Sequence, residues 1–162
     1  MVGTLFLFAY WPSFNGALGD GSTMQRAIIN TYLGIACSVI ASIVVSKFTQ
    51  HGSKLNMEIV LNASLAGGVA VGSAADIIVT PAGSMIAGFL AGSISALGFA
   101  YLSTFVKKHL LLHDTCGVLN LHGIPGVIGA IISAIVASRM GDTFGDNLAV
   151  TYPLQAARTP IE

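Results

Sequence analysis

Five stretches without a single Asp, Glu, Lys or Arg run through this chain: Met1–Gly19, Ala27–Ser46, Ile59–Ala75, Ile77–Val106 and Thr115–Ser138. A helix needs about 20 apolar residues to cross a hydrocarbon core of roughly 30 Å. Each stretch meets or nearly meets that length. A transmembrane β-barrel would instead alternate polar and apolar residues over segments of about ten, and no such alternation is visible. The expected fold is all-α, a polytopic membrane helix bundle. Its five spans are read as Met1–Leu18, Ala27–Ser46, Glu58–Val79, Ser84–Val106 and Val118–Ser138. Only 9% of the 162 residues are charged, and seven basic residues balance seven acidic ones. A nucleic-acid binder needs a basic excess to neutralise phosphate, so no nucleic-acid partner is expected.

The loops set the expected orientation. All the lysines, Lys47, Lys54, Lys107 and Lys108, fall in the second and fourth loops. These loops share a side in a five-span chain, and an excess of lysine marks the cytoplasmic side. Residues 139–162 then form an extracytoplasmic tail. Cys37 and Cys116 read as free thiols packed as small hydrophobes. Asn62-Ala63-Ser64 matches a glycosylation sequon but lies inside a span.

Small residues recur at four-residue spacing, as in Gly68 with Gly72 and Gly88 with Gly92. Lipid provides no hydrophobic drive between helices, so they associate by close backbone approach at such positions. Close helix packing is the leading reading, with a backbone lining a narrow pore as the second.

His122 is the most informative single residue. It is ionisable, it lies within an apolar span, and Gly123, Pro125 and Gly126 follow it. A polar residue within a membrane helix is a functional candidate by default. Pro125 removes a backbone donor and can kink the span, and the glycines admit a neighbouring helix or a small ligand. A core histidine bonded to another helix is the alternative. Asp114 precedes the last span. It reads as a helix N-cap, an acidic partner for Lys107 and Lys108, or a residue at the cytoplasmic mouth of a cation path. Trp11 and Tyr10 read as an interfacial belt, Phe14 as lipid-facing, and Asn15 as a group needing a partner. No metal-ligand spacing, phosphate loop or nucleophile motif is present. No catalytic residue, metal site or cofactor is therefore expected, and the chain is not read as an enzyme.

The segments Phe6–Asn15 (FLFAYWPSFN), Ala66–Gly72 (AGGVAVG) and Asp114–Gly126 (DTCGVLNLHGIPG) resemble the Rh (Rhesus) glycoproteins, the animal-type branch of the ammonium transporter superfamily. The likeness runs in order over residues 1–138. It implies a bundle of eleven or twelve helices, built from two inverted five-helix repeats and assembled as a homotrimer in the plasma membrane. Each protomer would have its own hydrophobic pore. On this likeness residues 1–138 are the second repeat, and residues 139–162 lead to a final helix not included. The chain would be a partial sequence. His122 is similar to the second of two mid-membrane histidines, Phe14 to one of two stacked gate phenylalanines, and Asn15 follows at the vestibule. Leu18 stands where the bacterial-type branch has a serine, which fits the Rh branch. Asn56 stands where Rh members often carry an aspartate, leaving Asp114 as the acidic candidate.

Ammonia or ammonium is the implied substrate, with membrane lipid as surroundings. Stripping water from an ammonium ion in an apolar lumen is costly unless it is fully coordinated. Neutral ammonia gives up only a few hydrogen bonds, so passage of ammonia is expected. A non-conducting Rh-like scaffold and a bacterial-type electrogenic transporter are the competing readings.

Overall fold

The computed structural model describes residues 1–49 and 55–139. Its regular structure is entirely helical over those residues: α1 (Val2–Asn15), α2 (Gly21–Thr49), α3 (Met57–Gly72), α4 (Pro81–Leu97), α5 (Ser103–His109) and α6 (Ile124–Arg139). A π-helical turn, Gly98–Leu102, fuses α4 to α5, and a second, Leu119–Gly123, leads into α6. The described residues thus form five helical rods, as the charge-free runs anticipate. Three are long and apolar enough to span a membrane: Gly21–Thr49, Pro81–His109 and Leu119–Ser138. At 1.5 Å per residue the first two reach roughly 43 Å, enough to carry Lys47 and Lys107 beyond the hydrocarbon.

α2 is the central rod. Gly34 faces Gly88, and Ser38 faces Gly92, so α2 and α4 run parallel. Gly34 also meets Gly67 and Val71, while Ser38 Oγ donates to Ala63 O at 2.7 Å, so α3 runs antiparallel to α2. Gly67 N donates back to Ser38 Oγ at 3.1 Å. A single serine therefore ties two helices at a site where glycines bring their backbones together. The shared direction of α2 and α4 puts Lys47 and the Lys107–Lys108 pair at one end of the bundle. Lys54 lies outside the described residues, as does the tail 140–162.

The first and third spans are shorter than anticipated. α1 stops at Asn15, and α3 stops at Gly72 instead of reaching Val79. Ala74, Ala75, Ile77 and Ile78 are buried although non-helical, and their segment needs partners for its carbonyls. Asn30 supplies them: its Nδ2, on buried α2, donates to Ala75 O at 2.8 Å and Ile78 O at 2.7 Å. Arg26 Nη1 donates to Asp76 O at 2.9 Å. Two side chains of α2, more than forty residues away in sequence, thus take the place of helical bonding. α6 closes the bundle, with Gly129 against Ala70 and Ala137 packed on Ala74, Ile77 and Ile78.

Candidate functional site

The site builds up from the contact of α1 with α3. Trp11 and Asn15 are one turn apart on α1, and Gly68 and Gly72 are one turn apart on α3. A Cβ on Gly68 would lie 2.8 Å from Trp11 Nε1, and one on Gly72 would lie 3.1 Å from Asn15 Oδ1. The two glycines are therefore seats for two side chains. Trp11 is only 9% exposed and packs with Ile35 and Leu65. Its expected place in an interfacial belt is corrected: Gly68 leaves a slot that draws the indole into the core. Tyr10 remains exposed.

Asn15 is half-buried. Its Nδ2 donates to Thr31 Oγ1 at 3.0 Å and to Gly68 O at 3.1 Å, tying α1, α2 and α3 together. Both of its amide hydrogens are thereby committed, leaving Oδ1 as its acceptor beside Gly72.

Two rings lie against Trp11. Phe14, 61% exposed, meets Trp11 edge-on with ring centroids 6.2 Å apart. The His122 imidazole also lies 6.2 Å from the same indole, inclined at 37°. His122 is exposed, as are Gly123 and Gly126 beside it, while Pro125 is fully buried. Phe14 and His122, more than a hundred residues apart in sequence, are thus two exposed rings set against the same indole.

The glycines divide. Gly68, Gly72, Gly88 and Gly92 lie at helix contacts within the chain. Gly126 has open space around it, and a Cβ on Gly123 would meet just its own helix, Leu119 Cδ1 at 3.4 Å and Val118 O at 3.9 Å. A Cβ at either would meet no other rod among the described residues. The close approach on α6 is made one turn later, at Gly129, against Ala70 O at 2.7 Å.

Asp114 is exposed and sits ahead of the last rod. Its Oδ1 accepts from Val118 N at 2.9 Å and its Oδ2 from Leu119 N at 2.8 Å. Both oxygens satisfy amides that the start of a helix leaves unpaired, so it caps that start from four residues upstream, outside the N-cap position itself. Asn56 caps α3 from the N-cap position, accepting from Glu58 N and Ile59 N. Asp114 also borders two recesses. One, of about 380 Å³, includes Ser103, Lys107 and His113. The other, of about 440 Å³, includes Asn56, Glu58 and Asn62. Cys37 and Cys116 are free thiols, and no trio of His, Cys, Asp or Glu gathers among the described residues.

The Ammonium Transporter Family profile matches residues 1–155. The chain belongs to the ammonium transporter family. It is 51% identical over 148 residues to ammonium transporter Rh type C of Rattus norvegicus, covering 90% of this chain and 30% of that protein. It is 46% identical over 155 residues to ammonium transporter Rh type B of Oryzias latipes, covering 94% of this chain and 34% of that one. The chain therefore spans about a third of the length of these relatives. Among solved structures it resembles Nitrosomonas europaea Rh50, described in terms of conduction by the Rhesus family of channels. That likeness has a TM-score of 0.81 at 33% identity, over 95% of this chain and 40% of the other. Within this ammonium transporter segment, sequence reasoning passed over Asn120, Ser95 and Ser103. Asn120 is fully buried; its Nδ2 donates to Ser103 Oγ at 2.7 Å and its O accepts from Ser95 Oγ at 2.7 Å. The available signal was a carboxamide inside an apolar span, five residues before a proline.

Proposed function

We propose that this chain supplies one wall of an ammonium/ammonia channel of Rh type in the plasma membrane, corresponding to the second five-helix repeat of a homotrimeric protein. The observation that carries this is that Phe14 and His122 both stand exposed and both pack on the one Trp11 indole. An ionisable side chain left uncovered on an otherwise apolar membrane face needs a partner or a polar passage. The relatives named ammonium transporter Rh types B and C give that passage its substrate.

The chemistry follows from the two side chains. Phe14 narrows the way with an apolar ring, so an ion would have to shed its water there without replacement. Ammonia crosses such a constriction at the cost of a few hydrogen bonds. His122 then offers a donor and an acceptor without a fixed charge. Asn15 stands at the outer approach. Asp114 stands at the cytoplasmic mouth, where a carboxylate beside two recesses favours the protonated product. The Gly68–Gly72 and Gly88–Gly92 pairs hold the wall rigid.

The test is His122→Ala in the full-length protein carrying this segment, with methylammonium or ammonia flux measured at matched surface expression. Losing one hydrogen bond at the barrier costs about 0.5–1.5 kcal/mol, a slowing of roughly 2- to 12-fold. His122→Asp places a carboxylate in the path and should bring a cation current under voltage clamp. Wild-type transport in both variants, with no new current, would overturn the reading and make His122 a packing residue.

A further inference from the structure

The helix beneath the His122 ring is not α-helical. Leu119–Gly123 is a π turn, and Ile124 N bonds to Leu119 O, five residues back. Such a turn inserts one residue, which rotates the helix surface by about 100° relative to an unbroken α-helix. In the same five-residue pattern, the donor for Asn120 O would be the amide of residue 125. That residue is Pro125, which has no N–H. The hydroxyl of Ser95, reaching across from α4, donates to Asn120 O instead at 2.7 Å. The Asn120 side chain is anchored as well, Nδ2 donating to Ser103 Oγ. It fits because Gly98 has no side chain; a Cβ there would collide with Asn120 Oδ1. Gly98 and Ser103 bracket the other π turn, where Ser103 N bonds to Gly98 O. The two irregular turns therefore face each other and are pinned by one buried set of polar groups, Ser95 and Asn120 wholly inaccessible to solvent and Gly98 buried beside them.

We infer that Ser95 and Asn120 are positioning residues for His122: together they hold the π turn, whose Asn120 carbonyl Pro125 cannot serve, and so set the imidazole beside Trp11. The inference rests on the pathway reading of His122 given above. Ser95→Ala withdraws the donor from a buried carbonyl, and the turn relaxes to recover a partner. The imidazole then moves off its line, so the loss of flux should lie between about 2-fold and the full loss of His122→Ala. Ser95→Cys keeps the size with a weaker donor and should fall between Ser95→Ala and wild type.

The deciding measurement is a double-mutant cycle in the full-length protein, reading ammonia or methylammonium flux at matched surface expression. If Ser95 acts through His122, adding Ser95→Ala to His122→Ala brings no further loss. A merely structural serine would multiply the two losses. Should Ser95→Ala not reach the membrane, Ser95→Cys and Asn120→Leu take its place in the cycle. Multiplicative losses, or wild-type flux in the Ser95 and Asn120 variants while His122→Ala is impaired, would overturn the inference alone. Wild-type flux in His122→Ala would overturn the pathway reading, and this inference with it.

Discussion

Two glycine pairs with the same spacing should respond differently to one added methyl group. In Gly92→Ala the new Cβ meets Ser38 Oγ at 2.5 Å and, behind it, backbone: Ser38 O at 2.7 Å and Ser38 Cα at 2.8 Å. Carbon contacts settle at about 3.5–4.0 Å, so α4 must withdraw from α2 by roughly 0.7–1 Å. No rotamer change relieves a backbone clash. A radial gap of about 0.5–1 Å forfeits a quarter to a half of each contact along the α2–α4 seam. That puts the cost in the overpacking range, about 1–3 kcal/mol. In Gly72→Ala the nearest atom is Asn15 Oδ1 at 3.1 Å and the next lies at 3.7 Å, both at the end of a side chain. A few tenths of an ångström of movement suffices, and the gain in helix propensity of about 0.5–1 kcal/mol offsets it. Gly68→Ala falls between, because its neighbour is the Trp11 indole, already confined by Ile35 and Leu65. Thermal unfolding of the full-length protein in one detergent, with surface expression alongside, should rank stability as wild type close to Gly72→Ala, then Gly68→Ala, then Gly92→Ala. Equal midpoints for Gly92→Ala and Gly72→Ala would refute the argument that backbone approach at Gly92 holds the bundle together.

Asn30→Leu should destabilise by about 1–3 kcal/mol, because it leaves the buried carbonyls of Ala75 and Ile78 without donors; an unchanged unfolding midpoint would contradict it. Asp114→Ala should lower stability by about 0.5–2 kcal/mol through loss of the cap to Val118 and Leu119. Asp114→Asn should recover much of that stability but not the flux, which separates a cap from a mouth residue; full flux in Asp114→Asn would leave it a cap only. Cysteines placed at Lys47 and Lys108 should react with an impermeant reagent from the same side, the cytoplasm, and one at Asp20 from the other; labelling of position 47 in sealed cells would refute that orientation.

Much of this was readable in advance. Uncharged runs close to or above the length a helix needs to cross a bilayer leave few folds other than a membrane helix bundle. His122 stood out because an ionisable group in such a run has to be accounted for, and Asp114 because a carboxylate just ahead of a helix can cap it. What could not be read were the contacts that cross the chain. The third helix ends at Gly72 because Asn30 waits to bond the turn beyond it. Trp11 is internal because Gly68 makes room for it. Gly92 is tight and Gly126 free, although both are glycines on apolar helices, because only one of them faces another backbone within this segment. Composition and charge spacing act locally along the chain, so the class of fold, the number of rods and their alternating direction belong to the sequence. The depth of each helix, the partner of each glycine and the setting of His122 against Trp11 depend on which surfaces meet. Tertiary packing alone decided those, since an orphaned carbonyl or a slot beside a glycine is filled by whatever lies next to it in space.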